Sequence, residues 1–139
     1  MKKTQIIFAI SLVIFLISLT QVAVYTQGRE TDASNCFLLG WLELENNIAW
    51  LANPLLFISW LALLLKQVKV SVISSLIAFC LSLFYFSSKT IIIDEAGNES
   101  AIISFGAGYY LWVTSCLCMV VGSSILLNSS NKEKHSKLF

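Results

Sequence analysis

"IAWLANPLLFISWLALLLK", residues 48–66, decides how this chain is read. Eighteen residues pass without a charge before Lys66. As a helix rising 1.5 Å per residue, such a run covers about 27 Å, close to the roughly 30 Å of a bilayer's hydrocarbon core. Inside it stands Asn53-Pro54. A buried amide needs a partner, and an interior proline removes a backbone hydrogen bond, so the pair demands an explanation.

Working outward, three further apolar runs occur at 6–25, 69–87 and 108–127, beside this one at 47–65. None has Asp, Glu, Lys, Arg or His in its interior. The chain has 139 residues, of which 57% are apolar and only 12% charged, and its mean hydropathy is +0.78. A soluble domain of this size needs a polar shell that this composition does not supply. The predicted fold is an all-α membrane protein, one integral domain over 1–139. It is an antiparallel four-helix transmembrane bundle with a small extracytoplasmic β-hairpin cap. The first run follows Lys2 and Lys3 as a signal peptide would, but it is longer than a typical h-region. The following "QVAVYTQG" has no A-x-A site, so the segment is read as a retained helix.

Charge sets the orientation. Lys2, Lys3, Lys66, Lys69, Lys132, Lys134 and Lys137 fall on one side with Glu133. Arg29 and Lys89 fall on the other, against Glu30, Asp32, Glu43, Glu45, Asp94, Glu95 and Glu99. Lysine-rich short loops stay cytoplasmic. Both termini and the tail 128–139 are therefore assigned to the cytoplasm, and loops 26–46 and 88–107 to the outside. The short loops and lysine-flanked first segment suggest a bacterial cytoplasmic membrane. The net charge of +1 hides this separation and leaves no basic face broad enough for nucleic acid. The tail lysines suit anionic lipid. Trp50, Tyr109, Tyr110 and Trp112 are assigned to the outer interface and Trp60 to the inner one, where rings sit well at headgroup depth.

The outer loops run to about twenty residues, long for helix connections. "KTIIIDEAGNESAIIS" (89–104) reads as a β-hairpin: β-branched isoleucines flank a turn holding Gly97 and Asn98. Gly106 and Gly108 permit a sharp bend before the last helix. "GWLELEN" (40–46) alternates with period two, with Trp41 on one face. It reads equally as a third strand or as an acidic lead-in to the second helix.

Small residues mark helix contacts, which in lipid depend on close approach and interhelical hydrogen bonds. The third helix offers Ser71, Ser75, Ala78 and Ser82; the fourth offers Gly108, Ser115, Cys118 and Gly122; the first offers Ser11 and Ser18. In the second, Asn46, Asn53 and Trp60 recur every seven residues. Two solutions then exist for Asn53-Pro54. Either the helix runs from about 47 and kinks near 50–54, with the Asn53 amide donating to the serine stripe of the third helix, or Asn53 caps a helix starting at Pro54. The second leaves only about 18 Å of helix, so the kink is preferred.

Chemistry is sparse. The lone histidine, His135, lies in the tail, which removes axial haem ligation and Ser-His or Cys-His catalysis. The runs hold no carboxylate pair, and no phosphate-binding glycine motif occurs. The four cysteines do not form a metal-ligand spacing, and Cys36 is the single outer one. No cofactor and no catalytic residue is expected. The functional expectation is a non-enzymatic multi-pass protein of accessory, assembly or immunity type, binding a protein partner or a second copy through its outer cap and bundle. The alternative is an oligomeric small-solute channel or carrier lined by Asn53 and the serine stripe. Interaction candidates are Trp41, Asn53, Pro54, Ser71, Ser75, Ser82, Gly97, Gly106, Gly108 and Gly122.

Overall fold

A computed structural model describes residues 2–45 and 47–136; Asn46 and Lys137 lie outside the described residues. The chain is mostly helical, with one small curled antiparallel sheet. Helix α1 (Lys2–Leu19) is followed by strands β1 (Val22–Thr26) and β2 (Arg29–Asp32) and helix α2 (Ala33–Leu39). Two 3₁₀ turns, Gly40–Glu43 and Ile48–Leu51, lead to α3 (Ala52–Leu64). Then come α4 (Val68–Phe84), β3 (Thr90–Ile92), β4 (Glu99–Phe105) and α5 (Ala107–Ser136).

The expected hairpin is present: β3 pairs antiparallel with β4, Thr90 opposite Ala101 and Ile92 opposite Glu99. Its extra partners come from an unexpected place. The sheet order is β2-β1-β4-β3, with Val24 opposite Phe105 and Tyr25 opposite Ser104. The first helix therefore stops at Leu19, not at 25. "VAVYT" is rich in β-branched and aromatic residues, and the two-residue loop Gln27-Gly28 folds it back onto β2. Gly28 supplies the positive φ that the loop requires (78°). Conversely, 40–45, the described part of the third-strand candidate, is not a strand. Its first four residues form a 3₁₀ turn continuing from α2, and the hairpin's added partner is β1, beside β4.

Helices α1, α3, α4 and α5 share one apolar core containing Phe15, Leu56, Trp60, Leu63, Ala78, Cys116 and Met119. The small-residue stripes sit at the contacts. Ser11 of α1 and Ser115 of α5 bond each other's backbone carbonyls, 3.0 and 2.8 Å. A Cβ on Gly122 would collide with the Ile7 side chain. The α5 core face uses Cys116 rather than Cys118, which is half-buried. Trp60 is not an inner-interface anchor: it is 7% exposed and donates its indole N–H to Ser11 Oγ at 3.0 Å.

The outward helix faces are apolar. Ile10, Val13 and Ile17 on α1, Ile73 and Ile77 on α4, and Val121 and Ile125 on α5 are all exposed. Two segments, Val68–Ser87 and Ala107–Glu133, are long and apolar enough to cross a membrane. Lys3–Leu19 and Ile48–Leu64 are apolar but shorter; the first is cut back because β1 takes residues that the sequence pattern gives to the helix.

Candidate functional site: a cavity under the sheet cap

The opening question is answered at the start of α3. The structure follows the first sequence solution in part: the helical segment runs from Ile48 to Leu64, but its first turn is 3₁₀ and the partner of Asn53 is a different one. Asn47, not Asn53, is the capping residue, its side-chain oxygen accepting from the Ala49 N–H at 3.1 Å. One 3₁₀ turn follows, and Ala52 begins the α-helix, its N–H shared between the carbonyls of Ala49 and Trp50. Pro54 is thus the third residue of α3, two residues after the helix changes from 3₁₀ to α. The proline marks a change from 3₁₀ to α-helix rather than a kink within a continuous α-helix.

Asn53 is 5% exposed and accepts from the indole N–H of Trp112 at 2.9 Å. Its partner is therefore α5, not the serine stripe of α4. Those serines are engaged elsewhere. Ser71 pairs with Ser59 of α3 at 3.0 Å, while Ser75 and Ser82 donate back to Val72 and Phe79 of their own helix. Back-bonding satisfies a hydroxyl that would otherwise be stranded in an apolar setting.

Above Asn53 lies a cavity of about 90 Å³ between the cap and the helix ends. Its floor is aromatic: Phe15, Trp50, Tyr109 and Trp112. Residues from β2, α2 and β3 complete it, among them Arg29, Glu30, Phe37 and Ile91. Each polar ring group on the floor is already used. Trp50 donates to the Phe37 carbonyl (2.8 Å), Tyr109 to the Ser82 carbonyl (3.0 Å) and Trp112 to Asn53. The rings consequently offer faces rather than donors, so an occupant is held by apolar contact. The exposed Arg29 and Glu30 provide the charged side of the cavity.

The cap is fastened by its own chemistry. Asn47 donates to Ser88 Oγ at 2.8 Å, tying the start of α3 to the chain after α4. A Cβ on Gly108 would lie 2.7 Å from the Gln21 carbonyl, and one on Gly106 would collide with that of Val22. These two glycines let α5 pass close under β1, which is more than the simple bend expected of them. In the β3–β4 turn, Asp94 accepts from the N–H groups of Ala96 (3.0 Å) and Asn98 (3.1 Å) and from the Asn98 amide (2.7 Å). The Asn98 side chain, first among these donors, holds the Asp94 carboxyl below its ordinary 3.8.

Of the sequence candidates, only Asn53 and Gly108 line the cavity. Trp41 is 55% exposed on the 3₁₀ turn after α2, and Gly97 lies at the tip of the hairpin. Trp50, Tyr109 and Trp112 had been assigned to a headgroup belt; the fold gathers them around one space. The only local signal for this was an Asn at each end of "NIAWLAN", one capping and one accepting. No protein-family model matches the chain, and no curated protein or solved structure matches it.

Proposed function

We propose that this chain is a non-enzymatic multi-pass membrane protein of accessory, assembly or immunity type. It binds a protein partner, or a second copy of itself, at the outer cap. In this reading α1, α3, α4 and α5 all cross the bilayer, with both termini cytoplasmic. The observation that carries the partner role is the aromatic cavity enclosed by the cap. A connector would need only a few residues between helices. Here those residues build a four-stranded sheet over a space whose ring faces suit an apolar side chain. Exposed Leu38, Trp41 and Leu42 beside it extend the apolar surface. The membrane reading is supported by the apolar outer faces of all four helices and by the gathering of lysine-bearing segments at the end away from the cap.

The channel alternative has less support. The serine hydroxyls assigned to a solute path bond to helix carbonyls or to each other, and Asn53 is engaged by Trp112.

The test is photo-crosslinking in native membranes. A benzophenone residue at Trp41 should give a single discrete adduct, another protein or a dimer. The same probe at Ile125, on the outward face of α5, should not. Lipid adducts alone at both positions would remove the partner role.

A further inference from the structure

At the end remote from the cap, a groove of about 350 Å³ runs between the α3–α4 link and the later turns of α5. Its lining divides chemically. Lys66, Lys69, Ser130 and Asn131 are polar and exposed, while Val68, Val70 and Leu127 are apolar. The polar residues gather at the helix ends: Lys66 precedes α4, Lys69 lies in its first turn, and Ser130 and Asn131 follow the apolar run of α5, which closes at Leu127. Such a groove fits an amphiphile whose head lies at the polar end.

Charge gives the sign of that head. Among the described residues neither lysine has an acidic partner. The first turn of α4 has no acidic residue, and its N-cap residue Gln67 makes no side-chain cap. Lys66 is also held in a costly conformation. Its φ is 60°, the one positive φ outside glycine among the described residues. The hydrogen bonds Gln67 N–H to Ala62 C=O (2.8 Å) and Lys66 N–H to Leu63 C=O (3.1 Å) close α3 in the manner that favours glycine at this position. The chain carries lysine there instead, so a cation is kept at the groove despite the strain.

We propose that this groove binds the phosphate headgroup of an anionic phospholipid. Lys66 and Lys69 pair with the phosphate, and Val68, Val70 and Leu127 take the start of the acyl chains. The assignment rests on the membrane reading above. Free inorganic phosphate shares the head chemistry but lacks the chains.

The test is native mass spectrometry of the full chain released from detergent micelles, titrated with phosphatidylglycerol or phosphatidylcholine. Phosphatidylglycerol should bind more tightly. Lys66→Gln and Lys69→Gln should each weaken it about fivefold, and Lys89→Gln, on the cap side, should not. Millimolar inorganic phosphate should fail to displace the lipid. Displacement would overturn the lipid assignment in favour of the bare anion. Equal binding of the two lipids, or unchanged binding in the double variant, would overturn the site. Lys66→Gly separates strain from binding, because glycine suits the backbone there. Its melting temperature should rise while lipid binding falls; a rise with binding unchanged would reduce Lys66 to a helix terminator and overturn its role. A chain that stays monodisperse without detergent or lipid refutes the membrane reading itself. A chain that needs the bilayer yet shows no lipid preference refutes the groove alone.

Discussion

The indole N–H of Trp112 reaches the side-chain oxygen of Asn53 at 2.9 Å, joining the first turn of α3 to the second turn of α5 beneath the cap. Replacing Asn53 with Leu removes the acceptor and leaves the half-buried indole N–H of Trp112 without this partner. A loss of about 1–2 kcal/mol is expected. Trp112→Phe removes the donor, so the double variant should cost less than the sum of the two single changes. Thermal unfolding in detergent measures all three. Strict additivity would mean that the hydrogen bond carries no coupling.

Pro54→Ala should change little. Pro54 follows directly on the change from 3₁₀ to α-helix, so an alanine N–H there meets carbonyls that are not set at regular α-helical spacing. The expected shift is within about 1 kcal/mol, with no gain in helicity. A rise in the circular-dichroism helix signal with a markedly higher melting temperature would show that the proline breaks an otherwise regular α-helix.

Local patterns were legible where they did not compete. The isoleucine runs around "DEAGN" gave the β3–β4 hairpin, and Gly97 takes the positive φ (82°) that its turn position implied. Strand β1 was hidden because "VAVYT" continues an apolar run, and apolarity alone does not distinguish the end of a helix from a buried strand. Asn53 stood out as a buried amide, but its partner lies 59 residues away, and no short-range pattern encodes that. The cavity is harder still to read. Its aromatic floor is assembled from two helices, α1 and α5, and the turn before α3, and three of its four rings individually suit a membrane interface.

Gly97→Val should loosen the hairpin while Glu99→Gln should not. A Cβ at Gly97 would meet nothing within 4 Å, so the cost is conformational rather than a clash. Holding a β-branched residue at positive φ costs about 1–2 kcal/mol. Limited proteolysis of the outer loop reads this directly. Equal cleavage of both variants would show that the turn tolerates the side chain.

Acid should act on the same turn through Asp94. Its carboxyl is held below the ordinary 3.8 by the Asn98 side chain and by the backbone N–H groups of Asn98 and Ala96. The charged form is thus favoured by the folded turn. Its stabilisation is present above the unfolded pKa and is lost as pH falls through the lower folded value. Pepsin cleavage at the hairpin should therefore increase below pH 3.8, and Asp94→Ala should already be open at higher pH. A cleavage profile identical in the variant and the parent would remove Asp94 as the organiser.

Cysteine chemistry separates the membrane reading from a soluble one. Ile73, Ile77, Cys80 and Phe84 are all exposed on α4 at helical spacing. Were the chain soluble, Cys80 would be the most accessible of the four thiols, since Cys36 and Cys118 are half-buried and Cys116 is buried. In a bilayer this strip faces hydrocarbon, where an aqueous maleimide does not reach and a thiolate does not form. Cys36 lines the cap cavity, which the proposed topology places outside. An impermeant maleimide added to intact cells should consequently modify Cys36 and spare Cys80, and an occupant of the cavity should slow the reaction at Cys36. A cysteine introduced at Ser130 should react only after the cells are opened. Rapid labelling of Cys80, or of the Ser130 variant in sealed cells, would reverse the assignment of α4 to lipid or of the tail to the cytoplasm.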